Sequence, residues 1–279
     1  MTGRIFEGRT VVVTGAAGGL GRSLCLRFGI AGARVAALDR DPQGLVALAA
    51  DMGTRGHEVF TQLCDVTDAA ACAESMRAVH ASLGRVDVLI NNAGLAHRSA
   101  FSETRIDVIR RVMDVNFFGA VNCTHAALAD LRASRGMVIA ISSVAGFSPL
   151  IGRTGYAASK HALHGFFDSL RTEVQDDGVG VLLVCPSFIA TGIDQAALGG
   201  DGGPAARARA RKTTGQQMSP DEAAQAIFAA ASRGRRLLLL SATARIAWSL
   251  NRCFPSLYAA LMKRRLQGEI SAPPPSQGD

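Results

Sequence analysis

The chain has 279 residues, 48% of them apolar, and a formal net charge of +7. Its length allows one large α/β domain with a sizeable core, and no apolar run reaches the roughly 18 residues that a membrane-spanning helix needs. The basic excess lies in residues 204–265, where 12 Lys and Arg accompany 2 Asp and Glu; no nucleic-acid-binding motif with stacking aromatic residues accompanies it, so we do not expect a nucleic-acid partner.

Short apolar runs alternate with longer amphipathic stretches along most of the chain. The runs that predict strands are residues 10–15, 34–39, 57–66, 86–91, 136–143, 178–186 and 235–241. Helical patterns separate them, and a stretch rich in Gly, Ala and Arg interrupts the alternation before a helix that begins at Pro220. This pattern predicts an α/β fold of the doubly wound, Rossmann type, in which helices cover both faces of a parallel sheet.

The composition divides the chain into three predicted parts. Residues 1–241 are expected to form a single Rossmann-type domain, and residues 242–267 a basic amphipathic helical extension. Residues 268–279 are rich in Pro and Ser and are expected to be a disordered tail. The six scattered cysteines lack metal-ligand spacing and no secretory signal precedes the first strand, so we expect a reduced, cytoplasmic protein without a metal site.

Three glycines, Gly15, Gly19 and Gly21, lie between the first predicted strand and the helix that follows it. Glycines at this point let the backbone turn sharply and approach a pyrophosphate, which then lies over the helix N-terminus. The spacing is TGxxxGxG and differs from the GxGxxG of the general dinucleotide motif. The evidence for a dinucleotide site is therefore the position of the glycines after the first strand.

Asp39 ends the second predicted strand. A carboxylate there can accept hydrogen bonds from the adenine ribose hydroxyls and would repel a 2′-phosphate, which favours NAD. Arg40 follows immediately and could pair with such a phosphate. NADP therefore stays open as the less favoured coenzyme.

Tyr156 precedes Lys160 by four residues, so on a helix the two side chains share one face. An ammonium group beside a phenol favours the phenolate and so lowers the pKa of the tyrosine. The pattern is short, however, and a half-buried aromatic residue beside a solvated lysine explains it equally well.

The glycine turn, "NNAG" at 91–94 and "YAASK" at 156–160 together resemble the motifs of the short-chain dehydrogenase/reductase family, over about residues 10–241. The resemblance implies an oxidoreductase with a nicotinamide coenzyme. It makes Tyr156 the general acid/base, while Lys160 lowers the pKa of Tyr156 and holds the nicotinamide ribose. It also implies that Ser143 binds the substrate oxygen and that Asn116 positions a water molecule that relays the proton.

The same resemblance implies a set of coenzyme contacts. These are Thr14, Gly15, Gly19, Leu20, Gly21, Asp39, Arg40, Asp65, Val66, Asn92, Ala93, Gly94, Tyr156, Lys160, Pro186 and Thr191. One departure is "PSFIAT" at 186–191, where the family has a glycine at the position of Ser187. Because serine tolerates unusual φ angles less well than glycine, we expect an adjusted contact there with activity retained.

The segments that line the substrate cleft in this family contain five large apolar residues here. These residues are Phe147, Leu150, Ile151, Phe188 and Ile189. They predict a lipophilic secondary alcohol or ketone, such as a steroid, a terpenoid or a fatty-chain carbonyl. His97, Arg98 and Arg153 could meet an acidic group instead.

Three alternative functions stay open: an NAD(H)-binding regulator without turnover, an NADP(H)-dependent carbonyl reductase, and a nucleotide-sugar epimerase or dehydratase. The resemblance implies a homodimer or homotetramer. For residues 242–267, packing on the same subunit or a neighbour, a lid over the cleft and peripheral contact with a membrane are each compatible with a basic amphipathic pattern.

Overall fold

The computed structural model describes residues 6–193, 196–205 and 217–270. Within these residues seven strands form one sheet: β1 Thr10–Thr14, β2 Arg34–Asp39, β3 Val59–Leu63, β4 Val86–Asn91, β5 Met137–Ile141, β6 Gly180–Cys185 and β7 Leu237–Leu239. The order across the sheet is β3-β2-β1-β4-β5-β6-β7, and all neighbouring strands are parallel. The predicted doubly wound parallel sheet is confirmed.

Helices connect the strands and cover both faces. They are α1 Gly19–Ile30, α2 Pro42–Thr54, α3 Ala69–Leu83, α4 Ile106–Met113, α5 Gly119–Ser134, α6 Thr154–Glu173, α7 Pro220–Ser232, α8 Ala242–Cys253 and α9 Pro255–Ile270. Two short 3₁₀ turns, Phe101–Glu103 and Val144–Gly146, lie in the loops after β4 and β5.

The apolar residues of β1 divide between the two faces of the sheet, as the alternation of side chains along a strand requires. Val11 and Val13 pack into a core with residues of α1, α2 and α7. Val12 packs into a second core with residues of α3, α5 and α6. Both faces are therefore closed to water, which explains the three consecutive valines of the strand.

The neighbours β1 and β4 lie where the connections of the sheet reverse direction. β1 leads through α1 to β2 on one side, and β4 leads towards β5 on the other. In an open parallel sheet this arrangement leaves a crevice at the carboxyl ends of the two strands, which is the usual place for a ligand.

A single turn of π-helix, Asp114–Phe118, separates α4 from α5. The sequence pattern predicts one uninterrupted helix here, because one extra residue in a turn barely changes hydrophobic periodicity. Gly119 begins α5 against the loop after β3, where a Cβ would lie 2.6 Å from Val66 Cγ2. The π-turn contains the buried Asn116 and sets the direction of its side chain.

The predicted extension forms the two helices α8 and α9, with Phe254 between them. α9 reaches Ile270, three residues beyond the predicted boundary at 267. Residues 271–279, which contain most of the predicted tail, lie outside the described residues. Among the described helices, none has the length and apolarity needed to cross a bilayer.

Candidate active site

The loop between β1 and α1 is built around two close backbone approaches. Gly15 has φ +62°, and a Cβ on it would lie 2.8 Å from the Cα of Ala93. A Cβ on Gly21 would lie 2.8 Å from the Cα of Ala16 and still closer to the carbonyl oxygen of Gly15. No side chain in the described residues caps the N-terminus of α1. Its N–H groups and positive dipole end are therefore available to a pyrophosphate.

Hydrogen bonds join the ends of β1 and β4 beside this loop. Thr14 Oγ1 accepts from the backbone N–H groups of Asn92 and Ala93 at 3.0 and 3.1 Å. The Asn92 amide donates to the carbonyl oxygens of Thr14 and Gly15, each at 3.0 Å. Thr14 and Asn92 thus hold the glycine turn against the loop that contains "NNAG".

Asp39 lies at the end of β2, half-buried against the same turn. Its Oδ2 accepts from the N–H of Ala17 at 2.9 Å and its Oδ1 from the N–H of Asp41 at 3.0 Å. The next residue, Arg40, is exposed and lies near Asp65, whose pKa is lowered chiefly by the N–H and hydroxyl of Thr67 and further by the Arg40 charge. A nucleotide in this crevice would meet a fixed carboxylate and a solvated guanidinium.

These features fit a dinucleotide coenzyme. The glycine turn is a cradle that a Cβ would fill, and the uncapped helix end and Asp39 match the pyrophosphate and the adenine ribose respectively. The residues that would hold it are those of the turn, Asp39 and the "NNAG" loop.

Tyr156 and Lys160 both lie in α6, one turn apart. The Lys160 Nζ atom is 5.8 Å from the centroid of the Tyr156 ring and donates to the carbonyl oxygen of Ile141 at 2.8 Å. Lys160 is only 4% exposed, and burial lowers its pKa from 10.5 to about 8. At neutral pH the ammonium form still predominates, so a positive charge is held beside the phenol.

The amide of Asn116 joins two segments behind the site. Its Oδ1 accepts from the N–H of Leu95 at 2.6 Å, and its Nδ2 donates to the carbonyl of Leu95 and to Ser159 Oγ, each at 2.9 Å. Because both amide hydrogens are used, only one acceptor lone pair is left for a water molecule. The structure thus shows Asn116 fixing the loop after β4 against α6, and its water-positioning role stays a prediction.

Ser143 follows β5 and begins the 3₁₀ turn. Its Oγ accepts from the N–H of Ala145 at 3.1 Å, so the hydroxyl hydrogen can be donated to a substrate oxygen. The neighbouring Ser142 donates to the carbonyl of Lys160 at 3.3 Å, which ties the end of β5 to α6.

A single cavity of about 1150 Å³ brings these groups together. Of the predicted site residues, Gly15, Gly19, Leu20, Gly21, Asp39, Arg40, Asp65, Val66, Asn92, Ala93, Gly94, Ser143, Tyr156, Lys160, Pro186 and Thr191 line it. The other two, Thr14 and Asn116, are 1% exposed and lie behind the wall as supports.

Three predicted substrate contacts are wrong, because Phe147, His97 and Arg98 do not line the cavity. The ring of Phe147 packs edge-on against Trp248 at 4.9 Å between centroids, and the Phe147 carbonyl accepts from Asn251 at 2.6 Å. His97 is fully buried, with its Nε2 atom 3.3 Å from Thr104 Oγ1, and cannot meet a substrate group. Loop segments have no side-chain period, so the sequence does not indicate which of their residues face the cavity.

Leu150, Ile151, Phe188, Ile189 and Arg153 do line the cavity. Ser187 lies in its wall without backbone strain, since the only non-glycine residue with a positive φ in the described part of the chain is Arg135. The difficulty expected from a serine at the family's glycine position therefore does not arise in the backbone.

One of the roles left open for residues 242–267 was a lid over the cleft, and the C-terminal helices do form part of the cavity wall. They contribute Thr243, Ile246, Ala247, Leu250, Tyr258, Leu261 and Met262. Tyr258 is 3% exposed, and burial raises its pKa while the nearby Ser148 hydroxyl opposes the shift. The spacing of their apolar residues predicts the two helices, but it does not show which face of each helix packs inward.

Comparisons with known proteins agree with this geometry. The profile of the family described as short chain dehydrogenase matches residues 9–199. The chain is 38% identical over 267 residues to Dehydrogenase/reductase SDR family member 7B of Bos taurus, covering 93% of this chain and 82% of that protein. It is 36% identical over 265 residues to Dehydrogenase/reductase SDR family protein 7-like of Drosophila melanogaster, covering 92% and 80%.

A solved short-chain dehydrogenase from Streptomyces avermitilis has the same fold, with a TM-score of 0.76 and 29% sequence identity over 94% of this chain and 98% of that one. Members of this family are oxidoreductases that bind NAD(H) or NADP(H). With the matched profile covering more than half of the chain, the protein belongs to the short-chain dehydrogenase/reductase family.

Proposed function

We propose that this protein transfers a hydride between a nicotinamide coenzyme and a lipophilic secondary alcohol or its ketone. The observation that carries the proposal is the shared cavity: the glycine turn, the Tyr156–Lys160 pair and a mainly apolar wall enclose one continuous space. A protein that only senses the coenzyme would need neither the catalytic pair nor that wall.

When bound, a reduced nicotinamide supplies the hydride. The protein's own residues act on the oxygen of the carbonyl group. Ser143 donates a hydrogen bond to that oxygen, and Tyr156 donates its proton to it as the alkoxide forms. In the oxidation direction the same tyrosine accepts the proton.

Lys160 supports this proton transfer electrostatically. An unperturbed tyrosine has a pKa of about 10 and would be a poor base at neutral pH. The buried ammonium group beside the ring favours the phenolate. Its bond to the Ile141 carbonyl fixes its position, and its two further N–H groups remain for a ribose hydroxyl.

The substrate class follows from the chemistry of the wall beyond Ser143 and Tyr156. Apolar residues come from three separate segments: the loop after β5, the loop after β6, and α8 with α9. Such a wall favours a substrate with a large apolar body. Arg153, half-buried in the same wall, favours as a second candidate a lipophilic ketone that also bears an anionic group.

The preferred coenzyme in this proposal is NAD(H). Asp39 is held by two backbone N–H groups, so it cannot turn away from a 2′-phosphate without breaking them. Arg40 is exposed and near Asp65, so its charge is partly compensated. The repulsion of a 2′-phosphate by the fixed Asp39 carboxylate should therefore exceed its attraction by the Arg40 guanidinium.

A matrix of kcat/KM values tests the coenzyme and the substrate together. We expect the unchanged protein to prefer NADH to NADPH, to reduce long-chain and polycyclic ketones better than small ones, and to shift towards NADPH on Asp39→Ser. A keto acid compared with its methyl ester reports on Arg153. A preference of the unchanged protein for NADPH would show that Arg40 dominates, and equal rates for small and large ketones would contradict the lipophilic substrate.

A further inference from the structure

The outer surface of α8 and α9 exposes large apolar side chains. Ile246 is 65% exposed, Phe254 61%, Leu257 52% and Leu261 39%. We call these four residues the C-terminal apolar patch. The same two helices bury Ala244, Ala247 and Tyr258 on their inner side. Packing on the chain's own subunit therefore accounts for one side of the helices and leaves the patch uncovered.

Basic residues surround the patch. Arg245, Arg252, Lys263 and Arg264 are all exposed, and residues 242–264 contain no Asp or Glu. An apolar strip flanked only by positively charged residues is the pattern of a helix that lies in the interface of an anionic membrane.

The patch is continuous with the mouth of the cavity. Ile246 and Leu261 belong to both, since each lines the cavity and is also exposed on the outer surface. Phe254 and Leu257 belong to the patch alone. A molecule that leaves a surface in contact with the patch would thus meet the cavity entrance directly.

We propose that the C-terminal apolar patch docks the protein on the surface of a bilayer that contains anionic lipids, with the cavity mouth facing the bilayer. Apolar side chains enter the boundary of the acyl chains while the flanking cations contact lipid phosphates. The docking itself does not depend on the proposed function. Its consequence, the entry of lipophilic substrate from the membrane, rests on that function.

A second copy of the chain fits this surface less well. In a two-fold contact each patch would face its own copy, and the exposed Arg252, Lys263 and Arg264 would be brought towards like charges, with Glu269 the single acidic residue in the two helices. An anionic bilayer removes this repulsion because its charge is opposite.

The test is flotation of the full chain with vesicles of phosphatidylcholine alone or mixed with phosphatidylglycerol. We expect binding to the mixed vesicles, with loss of binding at high salt. The double variant Phe254→Ser with Leu257→Ser should bind at least about tenfold more weakly, because these side chains would no longer enter the acyl boundary. The matched control is Ile30→Ser with Val46→Ser, two exposed apolar residues on α1 and α2, which should float normally.

Cys253 gives an independent readout at the patch. Of the six cysteines, all within the described residues, it is the exposed one. An environment-sensitive fluorophore attached there should shift to the blue on addition of mixed vesicles and not of phosphatidylcholine alone.

Three outcomes would overturn the proposal: no flotation, equal flotation of the patch variant, or a dimer in light scattering that the patch variant abolishes, which would make a second copy the occupant. Neither substituted residue lines the cavity, so the patch variant should retain its kcat/KM for a small soluble ketone. A protein that floats without reducing ketones contradicts the proposed function alone, and one that reduces ketones without floating contradicts the docking alone.

Discussion

Replacing Tyr156 with Phe is expected to lower kcat/KM by at least about a hundredfold, the usual contribution of a positioned general acid or base. The substitution removes one hydroxyl and leaves the ring beside Lys160 in place. Coenzyme binding, measured by the fluorescence of bound NADH, should therefore be little changed, because the glycine turn and Asp39 are untouched. A loss confined to kcat would identify an interaction made in the transition state.

The other tyrosine of the chain gives a matched control for this variant. Tyr258 lines the same cavity, so Tyr258→Phe also removes one phenolic hydroxyl from its wall. It should cost less than about tenfold in kcat/KM, since a single neutral hydrogen bond contributes about 0.5–1.5 kcal/mol. Equal losses for the two variants, or a loss below a hundredfold for Tyr156→Phe, would contradict the role given to Tyr156.

Replacing Gly21 with Ala should damage the coenzyme site without touching the catalytic residues. The added Cβ would lie 2.8 Å from the Cα of Ala16 and closer still to the Gly15 carbonyl oxygen. Both are backbone atoms, so the turn itself must move. Overpacking of this kind costs about 1–3 kcal/mol, and we expect a lower Tm together with weaker NADH binding by calorimetry.

Gly18→Ala is the control within the same turn. Gly18 has φ −75°, and a Cβ there would meet only the Gly15 carbonyl oxygen, at an ordinary 3.5 Å. This variant should keep the Tm and most of the coenzyme affinity. If Gly21→Ala behaves like Gly18→Ala, the close approach of the backbone at Gly21 is not what shapes the site.

Strands that their own run of apolar residues identifies were predictable from the sequence. β1 has three consecutive valines because both of its faces are buried, and the position of Gly15 and Gly21 after it indicates the turn. Asp39 was found because the end of β2 is recognisable from its apolar run. In these cases the residues that give the sequence signal lie within a few positions of the structural feature that requires them.

Features that depend on packing between distant segments were not predictable in this way. The π-turn around Asn116 adds one residue to a helical turn, which hydrophobic periodicity does not register. Phe147 packs on Trp248, about a hundred residues later in the chain, and so faces away from the cavity. The inward face of α9, with Tyr258 buried near Ser148, likewise depends on packing between segments far apart in the chain.

The fate of the hydride is the most direct test of the proposed chemistry. The protein is incubated with a long-chain ketone and NADH that carries deuterium at the transferable C4 position, and the product alcohol is examined by mass spectrometry. We expect one deuterium on the carbinol carbon with the unchanged protein and almost none with Tyr156→Phe over the same time. If the unchanged protein binds NADH but yields no deuterated alcohol from any of the long-chain or polycyclic ketones, it is not the oxidoreductase proposed here.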